Sequence, residues 1–259
     1  MKLTSLLTAL VFVAVTKGAP SEDRIYGGTI VATAIPYLVS ITVDEQHVCG
    51  GWIYNPDWVV TAASCVYGIL PSQLKVVVGQ VSLIQTDIDE RWISVFRTNI
   101  YESYDNETKL HDIAMLQMAT PIPFGPTANN ILYEEPEEVS GTPTEFAGWG
   151  GTFEGGLPST KLRKIPSVTV PADCSSYTAQ EFASNYMLCA GSTTDTSSPC
   201  NYDEGSPLVQ TFGGTMYAVG IMSKNKGCGA GAQPTIYTRL ASYYSWLYRI
   251  GGAQPSPAP

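Results

Sequence analysis

The sequence predicts an all-β secreted domain closed by one short helix. Three observations predict it: β-rich runs recur between turn-forming clusters, one helical pattern lies near the end, and the chain opens like an exported protein with six cysteines. The expected strands are Tyr37–Val43, Trp58–Ala62, Lys75–Val78, Trp92–Val95, Ile113–Met118, Lys161–Val170, Met216–Met222 and Thr235–Leu240. Gly, Pro, Asn and Asp separate them, which is the pattern of a sandwich or of barrels. Ala241 to Ile250 reads as a helix with Tyr244, Leu247 and Tyr248 on one face. A second helical turn is expected after Pro171, capped by Asp173 and running to Ala179. The Gly- and Pro-rich stretch after Ile250 is expected to be a disordered tail.

Lys2, the apolar run Leu6 to Val15 and the small residues up to Ala19 form a secretory signal, assigned to residues 1–18. The run falls short of the about 20 apolar residues that span a bilayer. Export implies an oxidising compartment, so Cys49, Cys65, Cys174, Cys189, Cys200 and Cys228 are expected in three disulfides, although spacing alone leaves their partners open. No CxxC pair occurs, and neither histidine sits at ligand spacing from a cysteine cluster, so no metal or other cofactor is expected. The net charge of -9 argues against nucleic acid and anionic membranes as partners. Asn106-Glu107-Thr108 is an acceptor sequence for an N-linked glycan.

Several segments, in order over nearly the whole mature chain, resemble the chymotrypsin- and trypsin-like serine proteases. Arg24-Ile25-Tyr26-Gly27-Gly28 resembles their activation junction, and Cys49-Gly50-Gly51-Trp52 with Thr61-Ala62-Ala63-Ser64-Cys65 resembles the region of the catalytic His. Asp112-Ile113-Ala114-Met115-Leu116 resembles the segment of the catalytic Asp. Cys200-Asn201-Tyr202-Asp203-Glu204-Gly205-Ser206-Pro207-Leu208 aligns without gaps on the segment of the nucleophilic Ser. The resemblance implies two six-stranded antiparallel β-barrels with a C-terminal helix, and the disulfides Cys49–Cys65, Cys174–Cys189 and Cys200–Cys228. It also implies a propeptide at residues 19–24, a protease-like domain at 25–259, and an ion pair between Asp203 and the Ile25 amine freed by cleavage.

The residues that carry the chemistry depart from the family. Ser64 stands where the general base belongs and Glu204 where the nucleophile belongs, leaving Asp112 alone of the triad. His111 adjoins Asp112 and is expected to face away from it, as neighbours on a strand do. His47 resembles a family His that contacts the activation Asp in some zymogens. Ser206 offers a hydroxyl near the nucleophile position, but no imidazole is expected beside it. Glu204 is expected as a tolerated surface substitution, with repulsion from Asp112 raising one carboxylate's pKa or turning it to solvent. A glycosidase-like carboxylate pair is the weaker reading, because nothing else in the chain suggests sugar chemistry.

The cleft itself is expected to be occluded. Tyr202 replaces a Gly that supplies one oxyanion-hole N–H, Lys224 and Asn225 replace a Trp and a Gly along the substrate backbone, and Thr235 replaces a Gly on the pocket wall above Ser198. The Ser64 and Glu204 replacements resemble the inactivated serine protease paralogues of the scabies mite, relatives of the mite group 3 allergens. That resemblance implies secretion, host plasma proteins as partners and inhibition of complement. Two other functions fit the chain: a non-catalytic cofactor or decoy for the producer's own proteases and their inhibitors, and residual hydrolysis through Ser206.

Overall fold

The computed structural model describes residues 28–133, 143–169, 174–191, 197–229 and 234–257. The expected signal peptide, the propeptide, the Arg24–Ile25 junction and Asp173 lie outside the described residues. A two-residue strand, β1 (Thr29–Ile30), precedes β2 (Leu38–Val43), β3 (Gln46–Asn55), β4 (Trp58–Thr61), β5 (Leu74–Val78), β6 (Arg91–Ile100) and β7 (Ala114–Met118). Strands β2 to β7 close into a barrel in the order β2-β3-β4-β7-β6-β5. Along β6 the period-two pattern is direct: Ile93 and Val95 are buried, while Trp92, Ser94 and Phe96 are exposed. The Gly-Gly pair inside β3 reads as a turn signal, yet it is a packing requirement. A Cβ at Gly51 would stand 2.9 Å from the Val60 carbonyl oxygen.

The second module contains β8 (Pro143–Gly148), β9 (Arg163–Thr169), β10 (Met187–Ala190), β11 (Pro207–Phe212), β12 (Thr215–Lys224) and β13 (Thr235–Arg239). With β1 they form a seven-stranded sheet in the order β1-β9-β8-β11-β12-β13-β10, paired antiparallel throughout. A 3-10 turn at Leu240–Tyr243 leads into α1 (Tyr244–Gly251). The helix returns to the first barrel, where Trp246 and Leu247 share a core with Val39, Tyr54 and Met115. The disulfides are Cys49–Cys65, Cys174–Cys189 and Cys200–Cys228.

Three local expectations are corrected. Residues 174–181 form hydrogen-bonded turns instead of a helix, anchored where Tyr177 donates to the Cys174 carbonyl and Glu181 to Thr178. The buried face of the final helical segment is Tyr243, Trp246 and Leu247; Tyr244 and Tyr248 are exposed, because the helix starts later than its sequence pattern. The tail is ordered at least through Pro255. Gln254 Nε2 donates to the carbonyls of Tyr54 and Ile131, its Oε1 accepts the Tyr133 N–H, and Asn130 Nδ2 donates to the Pro255 carbonyl. One side chain thus satisfies three backbone groups of the first barrel.

Candidate active site

The site lies where the turns at Ala62–Cys65 and 110–113, from the first barrel, meet the 200–206 loop and the end of β12. Asp112 is fully buried and collects donors from both modules. Its Oδ1 accepts the Ser64 N–H at 2.7 Å, and its Oδ2 accepts the hydroxyls of Ser64 at 2.9 Å and Ser223 at 2.6 Å. Its backbone carbonyl accepts the Thr238 hydroxyl at 2.8 Å. Burial raises its pKa against the lowering effect of these donors. The half-buried Tyr104 hydroxyl lies near Ser64 and Asp112, so a phenol and a short alcohol neighbour this carboxylate.

Neither histidine is placed to help. His111 lies in the turn ahead of β7 with φ +59°, not on the strand as expected. The turn sends its ring into an aromatic cluster, where it stacks on Tyr101 and hydrogen-bonds the Tyr243 hydroxyl at 2.8 Å. His47 is buried between the Ser40 hydroxyl at 2.7 Å and the Tyr202 carbonyl at 3.1 Å. A carbonyl only accepts, so Nε2 carries the proton and Nδ1 accepts from Ser40. Burial keeps this imidazole neutral, with its pKa lowered to about 4.

The Glu204 carboxylate folds back onto its own loop, where it accepts the Tyr202 N–H at 2.7 Å, instead of lying at the surface as expected. Burial raises the Glu204 pKa, N–H groups of its loop lower it, and the Asp112 charge raises it further, the expected rise. Tyr202 holds this loop at φ +76°, a left-handed conformation disfavoured for a side chain of its size.

The Ser206 hydroxyl is buried, without a hydrogen-bond partner among the described residues, and lies 1.8 Å from where a Gly50 Cβ would be. The adjacent Asp203 is fully buried against Gly148 and Gly150, where an added Cβ would sit 2.0 Å from a carboxylate oxygen. It accepts the N–H groups of Gly150 at 2.8 Å and Cys200 at 3.0 Å. Burial raises its pKa to about 7 despite those donors, and the Glu204 charge adds to the rise. Ile25, its expected partner, is outside the described residues.

The cleft walls are tied together. Lys224 reaches from β12 to donate to the Thr108 carbonyl at 2.7 Å, joining the second sheet to a first-barrel loop. Asn225 Nδ2 donates to the Pro199 carbonyl at 3.2 Å, and Ser198 Oγ accepts the Gly229 N–H at 2.8 Å, beside the Cys200–Cys228 disulfide. Thr235 is buried at the start of β13. Among the described residues no group of His, Cys, Asp and Glu is arranged to hold a metal ion. No described helix is long and apolar enough to cross a membrane.

The trypsin family profile matches residues 25–247. The chain belongs to the trypsin family. It is 31% identical over 236 residues to Trypsin-1 of Astacus astacus, covering 86% of this chain and 98% of that protein. It is 32% identical over 248 residues to coagulation factor XII of Bos taurus, covering 89% of this chain and 40% of the relative. Serine protease 56 of Homo sapiens is 31% identical over 248 residues, covering 92% of this chain and 40% of the relative. Against the trypsin-family motif, the structure brings Ser64, Asp112, Tyr202, Glu204 and Lys224 to one cleft. It adds Ser223, Tyr104 and Thr108, which sequence reasoning missed. An aromatic eight positions before Asp112 carries no chemical signature, and the Lys224–Thr108 contact spans 116 positions of chain.

Proposed function

We propose that this trypsin-family chain has lost peptidase activity and acts as a secreted protein-binding scaffold. The observation that carries this reading is the Glu204 carboxylate seated on the Tyr202 N–H. A substrate carbonyl oxygen must reach that N–H as it becomes an oxyanion, and a resident anion blocks it sterically and electrostatically. Loss of the hydroxyl nucleophile and of the imidazole points the same way. In subtilisin, the worked case for this chemistry, removing Ser or His alone costs about a million-fold in kcat, roughly 8 kcal/mol of barrier. Asp112 with Ser64 and Ser223 then serves as a satisfied buried carboxylate linking the two modules.

The paired Ser64 and Glu204 replacements, through their likeness to the scabies mite paralogues, favour host plasma proteins as partners, complement components first. The three disulfides and the trypsin fold suit an extracellular setting. The test is a pull-down from human serum with chain 25–259, quantified by mass spectrometry beside an active trypsin-family relative. Selective enrichment of complement recognition proteins is expected. No enrichment over control shifts the role to a cofactor or decoy among the producer's own proteases. Labelling by a serine-directed phosphonate that disappears on Ser206→Ala overturns the loss of catalysis.

A further inference from the structure

The Asn106-Glu107-Thr108 sequon takes no part in the chemistry above, and its position is informative. Residues 106–108 form an exposed turn built on Asp105, whose Oδ1 accepts the Glu107 N–H at 2.8 Å and the Thr108 N–H at 3.2 Å. The turn is closed where the Lys109 N–H donates to the Asp105 carbonyl at 2.8 Å. Asn106 Oδ1 accepts from the Tyr104 hydroxyl and from the Lys109 ammonium, both at 3.0 Å. Its Nδ2 donates to no described residue. The side chain therefore anchors by its oxygen and presents its nitrogen.

That division suits one modification. In N-linked glycosylation Nδ2 forms a bond to C1 of an oligosaccharide carried on a lipid diphosphate. The C1–O bond to the diphosphate breaks, the diphosphate leaves, and one amide proton is lost to base. The amide carbonyl is retained, so both hydrogen bonds to Oδ1 survive the reaction. The three disulfides indicate the oxidising route on which this chemistry operates.

We propose that Asn106 carries an N-linked oligosaccharide and that this glycan roofs the degenerate cleft. The Tyr104 phenol that donates to Asn106 lies near Ser64 and the Asp112 carboxylate. The same turn supplies the Thr108 carbonyl that Lys224 grips from the opposite wall. The sugar thus starts on the turn that bridges the cleft, beside the Tyr104 ring that neighbours Asp112. A protein partner of the glycosylated chain is then received on a face other than the cleft.

The test uses the full chain secreted from a eukaryotic host. Peptide-N-glycosidase F should increase the mobility of the wild type and of Thr108→Ser, and convert Asn106 to Asp in the peptide map. Asn106→Gln and Thr108→Ala should show no shift, and two independent removals guard against one variant misfolding. For the roof, acylation of the Lys224 and Lys109 amines by a bulky activated ester is timed by mass spectrometry. Trimming the glycan to a single sugar with endoglycosidase H should speed both sites severalfold on an unchanged polypeptide. A secreted, disulfide-bonded chain with unmodified Asn106 overturns the modification. Equal acylation rates before and after trimming overturn the roof.

Discussion

Two corners of one cleft have diverged. In the corner of Ser64, Asp112, Tyr202 and Glu204, the polar groups satisfy one another. In the corner of His47, Asp203, Gly148 and Gly150 the packing leaves no slack, with Asp203 oxygens 2.0 Å from where either glycine's Cβ would stand. The two corners are joined by a single loop, since the Tyr202 carbonyl faces His47 while its N–H faces Glu204. A residue needed only in a transition state can change without disturbing the folded ground state. A buried carboxylate held by two N–H groups cannot change so freely, because each orphaned donor costs about 1–3 kcal/mol.

The largest contrast is in catalysis. Hydrolysis of peptide amides is expected to fall about a million-fold below an active relative, and Ser64→His with Glu204→Ser is expected to restore little, because Tyr202 and the Lys224 bridge remain. Near-normal turnover in that double variant, measured with fluorogenic substrates, would break the comparison by making the two replacements the whole difference.

The next effect is pH dependence in the conserved corner. With Arg24–Ile25 intact, the folded Asp203 pKa of about 7 lies above its unfolded value, so its contribution to stability is present below about pH 4 and lost as pH rises through 7. The loss has a ceiling of about 4 kcal/mol. His47 runs oppositely: with a folded pKa of about 4, its contribution is present above about pH 6.5 and lost as pH falls toward 4. Urea unfolding across pH 4–8 should therefore show Asp203→Asn making stability rise more steeply with pH, and His47→Gln doing the reverse. Cleavage after Arg24, by supplying the Ile25 amine, should stabilise the chain near neutral pH.

Packing gives a smaller contrast. Gly150→Ala is expected to destabilise by about 3 kcal/mol through overpacking against Asp203, whereas Glu204→Ser frees one Tyr202 N–H on a half-exposed loop that water can reach and should cost about 1 kcal/mol. Equal losses in chemical denaturation would erase the distinction between corners. Smallest, Tyr202→Gly should stabilise by about 1 kcal/mol by relieving the φ of +76°. A loss instead would mean that the ring contributes more than its backbone costs.

The fold was legible because cysteines, glycines and short motifs survive where packing demands them, and the three disulfide partners were implied by the family resemblance those motifs carry. Strand β3 was hidden by its own Gly50-Gly51, which local pattern reads as a turn although close neighbours require it. The identities at positions 64, 112, 202 and 204 were legible one by one. Their joint geometry was not: whether Glu204 faces water or its own N–H groups is decided by a side-chain rotamer on a left-handed loop. The tail misled for a similar reason, since composition marks the stretch after Ile250 as disordered while Gln254 anchors residues 251–255.

That glutamine has a consequence for the order of synthesis. Tyr54 and Ile131 in the first half of the chain wait for Gln254, across 200 and 123 positions. Tyr54 Oη and Asn55 Nδ2 likewise wait for the carbonyls of Gly252 and Gly251. While the end of the nascent chain is still inside the ribosome, the first barrel has every one of its strands and still lacks its last donors and acceptors. Its final closure waits for Gln254 to emerge and rests on contacts of very long sequence separation, which are slow to form. A chain stalled a few residues short of Gln254 would emerge with its first module built but unsealed.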